Sequence, residues 1–313
     1  MSEYEDYPQT YEDFLEWFKT EEDCINYISK IRWQNGFMCP KCFSTKAWRT
    51  SKGLMHCYNC GHQTSVIAGT LFQGTRKPLR LWFSVIWWVV SQKNGSSALN
   101  LKNAMSFKSY ETAWTWLQKL RRIMIRPGRE LLCGNVEVDE TYLGGEEAGV
   151  IGREIGNKIL IVVAVEENKG KIGRVRFRCI KNASSKELIP FITDNIDKNS
   201  HIITDAWSGY SPLRDKEYVH EVKNIFKSDK NADELLPKVH LIISLLKRWL
   251  LGTHQGAVSE KHIQYYLDEY SFRFNRRLSK HRGKLFYRII QQAVTQEAIT
   301  MDEITGKKPK HNM

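Results

Sequence analysis

The chain has 313 residues, of which 42% are hydrophobic, and a formal net charge of +12. This length is enough for two or three domains with a sizeable core. No apolar run reaches the roughly 18 residues that a membrane span needs, and the N-terminus has neither a basic start nor an apolar signal region. We therefore expect a cytoplasmic protein that is not secreted and has no membrane partner.

The charge is unevenly distributed along the chain. Residues 1–36 hold three Lys/Arg and nine Asp/Glu, and we expect an acidic N-terminal helical segment there, with Phe14, Trp17 and Phe18 at helical spacing. Residues 37–130 hold fifteen Lys/Arg but only Glu111 and Glu130 as acids. A concentrated basic excess is typical of a polyanion partner, most simply nucleic acid, although a basic soluble surface is the alternative.

Two cysteine pairs follow the acidic segment. Cys39 and Cys42 are separated by two residues, fourteen residues follow, and Cys57 and Cys60 repeat the spacing. This pattern is typical of a tetrahedral four-thiolate zinc site, whereas a redox pair or a disulfide fits a reducing compartment poorly. We predict a zinc ribbon over residues 37–75 with a structural Zn²⁺ that takes no part in catalysis.

Residues 76–130 are predicted to be helical. Two short helices and a longer one suggest a helix-turn-helix-like DNA-binding segment. The last helix carries the basic candidates for DNA contact: Lys119, Arg121, Arg122 and Arg126. The alternative is a helical spacer in which Trp114 and Trp116 only pack.

The following part of the chain mixes strands and helices. We predict an alternating strand that ends at Asp139 and Glu140, and further strands over 158–170, 173–184, 201–205 and 218–224. Helices are predicted over 184–196, after the third strand, and over 235–253, after the fifth. This order fits an α/β RNase H-like catalytic core with a mixed five-stranded sheet, over residues 131–290. Residues 291–313 remain as a C-terminal tail.

Asp139 ends the first predicted strand of this core and Asp205 ends the fourth. If these strands are neighbours, the two carboxylates meet at one edge of the sheet and repel each other unless a cation lies between them. Hard oxygen ligands suit Mg²⁺ or Mn²⁺, and a two-metal site about 3.5–4 Å across would promote an in-line displacement at phosphorus. Glu140 points to the opposite face of its strand, so we expect at most a supporting role for it.

Four stretches of the chain carry a family resemblance: CPKC…CYNCGHQTSVIAGTLF, VDETYLGG, ITDAWSGY and SLLKRWLLGTHQGAVSEKHIQYYLDEYSFRFNRR. In this order they resemble the DDE-superfamily insertion-sequence transposases of the ISXO-like branch, whose members begin with a zinc ribbon. The resemblance implies an RNase H-like catalytic domain, a divalent metal, and joining of element ends to target DNA. It places Asp139 and Asp205 as the first two catalytic carboxylates.

The third catalytic position departs from the family's Asp-Asp-Glu pattern. In relatives with the Glu, that residue precedes SLLKR and a Lys follows it seven residues later; here Lys247 matches the Lys and His240 stands in place of the Glu. Seven residues are two helical turns, so both side chains share one helix face. We expect His240 to be the third ligand, in an enzyme that favours Mn²⁺. The alternative is that the histidine marks a weakened copy. We expect Lys247 to hold a phosphate. Glu234 is the substitute if this register is shifted.

A second basic stretch, residues 272–288, holds seven Lys/Arg and no acid. It suggests that Arg273, Arg276 and Arg277 follow a DNA backbone, and a solvated helix face is the alternative.

Taken together, the sequence predicts a transposase that binds terminal inverted repeats as double-stranded DNA and joins them to target DNA. By the resemblance it acts as a homo-oligomer, a dimer or larger, and locates to the nucleoid in a bacterium or to the nucleus if the element is eukaryotic. One alternative is a domesticated, non-enzymatic DNA-binding protein. The other is a structure-selective nuclease on the same core, which hydrolyses but does not join.

Overall fold

The computed structural model describes residues 6–144, 158–224, 231–256, 258–297 and 299–306. The chain divides into two compact units. Unit 1 comprises Met1–Arg126 and Ser279–Met313, and unit 2 comprises Pro127–Leu278.

The described residues form helices and strands in both units. The helices are α1 Tyr11–Trp17, α2 Glu21–Arg32, α3 Leu79–Ser91, α4 Ala98–Ala104, α5 Tyr110–Arg122, α6 Ser185–Asn195, α7 Ala232–Leu235, α8 Pro237–His254, α9 Glu260–Asn275, α10 Arg282–Thr295 and α11 Met301–Thr305, with a 3₁₀ helix at Ser208–Asp215. The strands are β1 Ala47–Arg49, β2 Met55–Cys57, β3 Gln63–Thr64, β4 Asn135–Leu143, β5 Ile159–Asn168, β6 Lys171–Ile180, β7 His201–Asp205 and β8 Val219–Lys223. Within these ranges, no helix combines the length and apolar character that a bilayer crossing requires.

The acidic N-terminal segment of unit 1 is helical, as predicted. Thr10 and Thr20 begin α1 and α2 with capping boxes, because each hydroxyl accepts from the backbone N–H three residues later and the Asp there accepts from the cap N–H. Phe14 and Phe18 are buried against α10, with ring centroids 5.5 and 5.6 Å from that of Phe286. The acidic faces of these helices therefore cover an aromatic core.

The zinc-ribbon region forms a three-stranded antiparallel sheet in the order β1-β2-β3. After it, the chain forms the helices α3, α4 and α5. Trp82 on α3 and Trp116 on α5 stack with centroids 3.5 Å apart and planes at 5°. Packing thus accounts for Trp116.

Unit 2 is built on a five-stranded sheet with the order β6-β5-β4-β7-β8. Strands β4, β5 and β6 are antiparallel neighbours, whereas β4 pairs parallel with β7, and β7 pairs parallel with β8. Together with α6 and α8, this order is that of an RNase H-like core, as the sequence predicted.

Strand β5, which pairs with β6 on one side and β4 on the other, contains the segment ILIVVAV, which is apolar without alternation. Ile161, Val163 and Val165 join a core with α8 and α9, while Leu160 and Val162 join another with α6. A strand that is buried on both faces has no polar side.

The C-terminal boundary of the predicted catalytic domain differs from the boundary between the two compact units. The sequence prediction extends the catalytic domain to residue 290, whereas residues 279–313 group with unit 1. Helix α10 accounts for this difference, because Phe286 is fully buried among the aromatic rings of unit 1. The five predicted segments remain predictions.

Candidate active site and zinc centre

Asp139 and Asp205 lie on neighbouring parallel strands. Glu137 of β4 pairs with Ile203 of β7, and the same register continued by two residues places Asp139 level with Asp205. Ile203 packs against the core that contains α8. Because side chains alternate along a strand, both aspartates belong to this face of the sheet. Asp205 is the last residue of β7, whereas Asp139 lies within β4, which continues to Leu143 and does not end at Asp139 and Glu140 as predicted.

His240 lies in the first turns of α8, above the same face. Its Nε2 is 3.4 Å from Asp139 Oδ2 and its Nδ1 is 3.0 Å from Asp233 Oδ1. The His240 side chain is 24% exposed and that of Asp139 is 14% exposed. The imidazole is therefore held at one nitrogen by an outer carboxylate, and its other nitrogen faces Asp139. A metal-ligating histidine commonly has this environment.

Glu137, which the sequence analysis did not single out, connects β4 to α8. Its Oε2 accepts hydrogen bonds from the backbone N–H groups of Lys238 and Val239, at 2.8 and 2.9 Å. Its Oε1 lies 3.3 Å from Lys238 Nζ. The carboxylate is buried and supplies the helix N-terminus with acceptors that no cap side chain provides. The alternation of Val136 and Val138 with Glu137 and Asp139 was the available signal, since it places both acids on one face.

Lys238 also pairs with Glu167 at 2.9 Å. Its pKa is raised, first by the hydrogen bond to Glu167 and then, against desolvation, by the charge of Glu137. The ammonium therefore stays charged and neutralises the buried carboxylate of Glu137.

Lys247 shares the helix of His240, two turns further along, and is exposed. Desolvation by the surrounding protein lowers its pKa. Glu234, the substitute ligand, is exposed on α7, and its neighbour Asp233 is the residue that contacts His240. No pattern in the sequence distinguished Asp233 from Glu234.

The loop after β7 secures Asp205. The Trp207 N–H donates to Asp205 Oδ1 at 3.0 Å, and the Trp207 indole N–H donates to the Ala183 carbonyl at 2.6 Å. Gly209 fits closely here, because an added Cβ would come within 2.5 Å of the Ala183 oxygen and 2.9 Å of Leu188 Cδ1. The segment DAWSG is therefore a support for the strand end that carries Asp205.

Tyr210 completes this support from the α6 side. Its hydroxyl donates to Glu140 Oε2 at 2.6 Å, and the side chain is 1% exposed. Burial raises the pKa of Tyr210, and the charges of Glu140, Asp139 and Asp205 raise it further. The Tyr210 hydroxyl thus remains a donor beneath the acidic cluster, and Glu140 has a hydrogen-bonded partner on the face opposite to Asp139.

The four predicted zinc ligands converge. The sulfurs of Cys39, Cys42, Cys57 and Cys60 lie within 4.8 Å of one another, and the Cys39–Cys60 and Cys42–Cys57 pairs are 3.6 Å apart. Four sulfurs about 2.3 Å from one tetrahedral ion would be about 3.8 Å apart. The donor set and spacing fit a structural Zn²⁺.

The electrostatics of the cysteine cluster point the same way. The Ser44 N–H, the Asn59 side chain and Cys60 lower the pKa of Cys42 to about 6. The His62 N–H lowers the pKa of Cys60, but burial and the neighbouring sulfurs outweigh it and raise that pKa to about 12. Thiolates this close repel one another, and a divalent cation between them removes that repulsion.

Among the residues that the structure describes, the four cysteines form the cluster whose ligand atoms all approach within 4.8 Å. Asp139, Asp205 and His240 are not such a set, although Asp139 and His240 are in contact. Two cis ligands of an octahedral cation at about 2.1 Å lie about 3 Å apart, so the 3.4 Å between Asp139 Oδ2 and His240 Nε2 fits a shared cation after a small shift.

Of the four candidate DNA-contacting residues of unit 1, three lie on α5, whereas Arg126 lies beyond the end of that helix at Arg122 and not on it as predicted. The four differ in their surroundings. Arg121 is 1% exposed and donates to the Ser96 carbonyl at 3.3 Å, so its guanidinium serves the interior of unit 1. Lys119 is half-buried and its pKa is lowered by desolvation, which the charge of Glu303 opposes. Arg122 and Arg126 are exposed.

The three arginines at the end of α9 make contacts within unit 2. Arg273 pairs with the buried Glu269 at 2.8 Å. Arg276 lies 4.3 Å from the ring centroid of Phe272, and Arg277 lies 4.1 Å from that of Phe274. These contacts within unit 2 involve all three arginines that the sequence suggested for DNA binding.

Two family models match the chain. The ISXO2-like transposase domain matches residues 131–275, and the transposase zinc-ribbon domain matches residues 19–63. A relative from Halobacterium salinarum, described as an uncharacterized protein in transposable element ISH50, is 24% identical over 294 residues, which cover 85% of this chain and 94% of the relative.

A solved structure is also similar in part. It is a simian T-cell lymphotropic virus intasome in complex with PP2A regulatory subunit B56 gamma, with 14% identity and a TM-score of 0.32. The match covers 60% of this chain and 64% of that one, less than two thirds of its length.

The sheet order and the matched domains define a transposase of the insertion-sequence type. The two models together span more than half of the chain, in the order in which the ribbon and the core occur. The chain belongs to the ISXO2-like transposases with an N-terminal zinc ribbon.

Proposed function

We propose that this protein binds the terminal inverted repeats of its insertion sequence and catalyses divalent-metal-dependent strand cleavage and strand transfer. The observation that carries the proposal is the placement of Asp139 and Asp205 on one face of paired strands, with His240 Nε2 3.4 Å from Asp139. Carboxylates and an imidazole in this arrangement suit a divalent cation at a phosphodiester.

Asp139, Asp205 and His240 would hold the catalytic Mg²⁺ or Mn²⁺. Such a cation, when bound, polarises the phosphate and lowers the pKa of an attacking water or 3′-hydroxyl. The imidazole donor favours Mn²⁺ over Mg²⁺, because nitrogen is a softer ligand than a carboxylate oxygen.

The surrounding residues of the chain keep these donors in place. With an Nδ1 proton donated to Asp233, 3.0 Å away, His240 would present its Nε2 lone pair to a cation shared with Asp139. The Trp207 N–H orients the Asp205 carboxylate. Lys247, on the His240 side of α8, is proposed to hold a phosphate of the DNA as a point charge.

Duplex DNA is proposed to contact unit 1 through α5 and the residues that follow it. Arg122 and Arg126 are the strongest candidates because they are exposed, and the half-buried Lys119 of α5 is a weaker one. Arg121 is buried and is not proposed to contact DNA. Arg273, Arg276 and Arg277 are proposed to have at most a secondary part in DNA binding. A homo-oligomer of two or more chains is proposed because two element ends must be cut and joined, and each chain carries one candidate site.

The test is a strand-transfer assay with the element's terminal repeats and a plasmid target. Wild-type protein should give a joined product with Mg²⁺ or Mn²⁺, and Asp205→Ala and His240→Ala should lose it by at least about 100-fold. Exposed Glu217→Ala is the matched control, since Glu217 pairs with Lys198 at the surface. Joining that His240→Ala leaves unaffected would overturn the third-ligand assignment.

A second function is favoured by one observation, the histidine in place of the family's glutamate. A copy weakened in this way would be a non-enzymatic, sequence-specific DNA-binding protein. Such a protein would bind the labelled terminal repeats, seen as a reduced gel mobility of the DNA. It would form no cleaved or joined product with either metal. Cleavage without joining would indicate a nuclease instead.

A further inference from the structure

The outer face of the ribbon sheet carries an aromatic cluster. In the β1–β2 pair, Ala47 is opposite Cys57 and Trp48 is opposite His56. The Tyr58 N–H donates to the Lys46 carbonyl at 3.0 Å, which extends this register by one pair. Because side chains alternate, Trp48, His56 and Tyr58 share the face of Lys46, and Cys57 belongs to the zinc side. We call these three aromatic residues the ribbon platform.

The rings of the ribbon platform are in contact. Trp48 stacks on His56 with centroids 4.0 Å apart and planes at 21°, and it lies 4.3 Å from Tyr58 at a tilt of 49°. The Gln63 amide lies 3.0 Å from His56 Nδ1 and fixes that ring from β3. The platform is thus an ordered surface of three strands.

This surface faces solvent. Trp48 is 39% exposed and Tyr58 is 68% exposed. The apolar cluster of the ribbon, which includes Phe37, Ala47 and Cys57, belongs to the zinc side. Cross-strand pairing stabilises a sheet, and it accounts for the contact of Trp48 with His56. Cross-strand pairing does not account for the exposure of the Tyr58 ring.

The charge of the ribbon platform's own face selects the kind of partner. Residues 37–110 contain no Asp or Glu. Glu22 of α2 reaches the ribbon sheet, where it pairs with Arg49, but Arg49 alternates with Trp48 and so belongs to the opposite face. Lys46 is an exposed cation on the platform's own face. Aromatic rings beside cations are the surface on which proteins stack the bases of single-stranded nucleic acid while they neutralise its backbone. Bases inside a duplex are already stacked and cannot lie flat on such rings.

We propose that the ribbon platform binds unpaired bases of single-stranded DNA, with Lys46 beside the phosphate backbone. The platform is distinct from the catalytic site of unit 2. The proposal rests on the proposed function in one respect, because transposition supplies the unpaired bases at an opened element end.

The experiment measures binding of the full-length, zinc-loaded protein by fluorescence anisotropy. The probes are a labelled 15-nucleotide oligothymidylate and a labelled 15-base-pair duplex of mixed sequence. Trp48→Ala and Tyr58→Ala should each weaken oligothymidylate binding by roughly 5- to 50-fold, whereas the duplex should change less than about threefold. Tyr58→Phe should keep most of the affinity, because the ring is retained.

Phe43→Ala is the matched control. Phe43 is a 70% exposed aromatic residue of the same ribbon, outside the stacked rings, and its loss should leave both affinities unchanged. Zinc content and melting temperature, measured for each variant, identify a ribbon that has failed to fold, and Tyr58→Ala then serves in place of a misfolded Trp48→Ala.

Two results would overturn the proposal. One is equal loss on duplex and single strand, which would assign the face to general electrostatics. The other is unchanged oligothymidylate binding with an altered oligomeric state, which would assign it to a second copy of the chain. Asp139→Asn separates this proposal from the proposed function, since it should abolish strand transfer and leave oligothymidylate binding intact.

Discussion

At the scale of single residues, Glu137 is the group that ties the strand of Asp139 to the helix of His240. Its carboxylate accepts from two backbone N–H groups at the start of α8. Lys238 balances its charge. A buried carboxylate with these partners fixes the distance between two proposed metal ligands, although it is not itself one of them.

We expect Glu137→Gln to reduce strand transfer about tenfold, because a misplacement near 1 Å has effects of this size or larger. The Mn²⁺ concentration for half-maximal activity should also rise, which a loss of stability alone would not cause. Glu217→Gln, an exposed change, is the control. An unchanged Mn²⁺ requirement would show that Glu137 supports only the fold.

Asp268 is a second acid, partly buried, and its effect on stability depends on pH. Burial raises its pKa to about 6, although the Gln264 side chain and Arg129 oppose this. The folded state therefore holds a proton that the unfolded state has already lost, and stability falls as the pH rises from about 4 to about 6.

Asp268→Asn should then stabilise the protein at pH 8 by on the order of 1–2 kcal/mol and have little effect near pH 4. The effect is moderate because part of the Asp268 side chain remains accessible to solvent, which weakens the cost of burying its charge. Thermal unfolding at both pH values is the measurement. Equal effects at the two pH values would contradict the assignment.

At the scale of elements, the loop after β7 shows why the segment DAWSG has its composition. Trp207 anchors it on the Ala183 carbonyl, and Gly209 approaches that oxygen too closely for a side chain. The loop therefore fixes the end of β7 and with it Asp205.

Gly209→Ala should destabilise the protein by about 1–3 kcal/mol, since the new methyl group meets backbone that cannot move aside. Gly252→Ala is the matched control with the opposite expected sign: nothing lies within 4 Å of its added Cβ, and alanine favours a helix by up to about 1 kcal/mol. Chemical denaturation compares the two. If both variants are equally stable, the close packing at Gly209 is not real.

Local sequence patterns predicted the strands, whereas the contacts in the candidate site depend on how separate strands and helices pack. Alternation predicted β4 and an apolar run predicted β5, because both patterns depend on neighbours along the chain. The end of β4 was predicted wrongly, since the strand continues past Glu140 to Leu143. Asp233 and Tyr210 were missed as partners, since their contacts with His240 and Glu140 depend on how separate elements pack. Arg121 has the same basic character in the sequence as Arg122, and only the fold distinguishes the buried one from the exposed one.

At the scale of the whole molecule, the C-terminal residues 279–313 belong to the same compact unit as the N-terminal residues 1–126. Helix α10 belongs to unit 1, where Phe286 contacts Phe14, Phe18 and Phe83. A contact between residues more than 200 positions apart leaves no local signal. This is why the sequence assigned α10 to the catalytic core.

The central claim is that Asp139 and Asp205 act together through a bound cation. The most direct test replaces Asp205 by cysteine and measures strand transfer in Mg²⁺ and in Mn²⁺. A thiolate binds Mg²⁺ poorly and accepts a softer ion more readily. We predict at least about a 100-fold loss in Mg²⁺ and partial recovery in Mn²⁺. Joining by Asp205→Cys that equals the wild type in Mg²⁺ would contradict the claim.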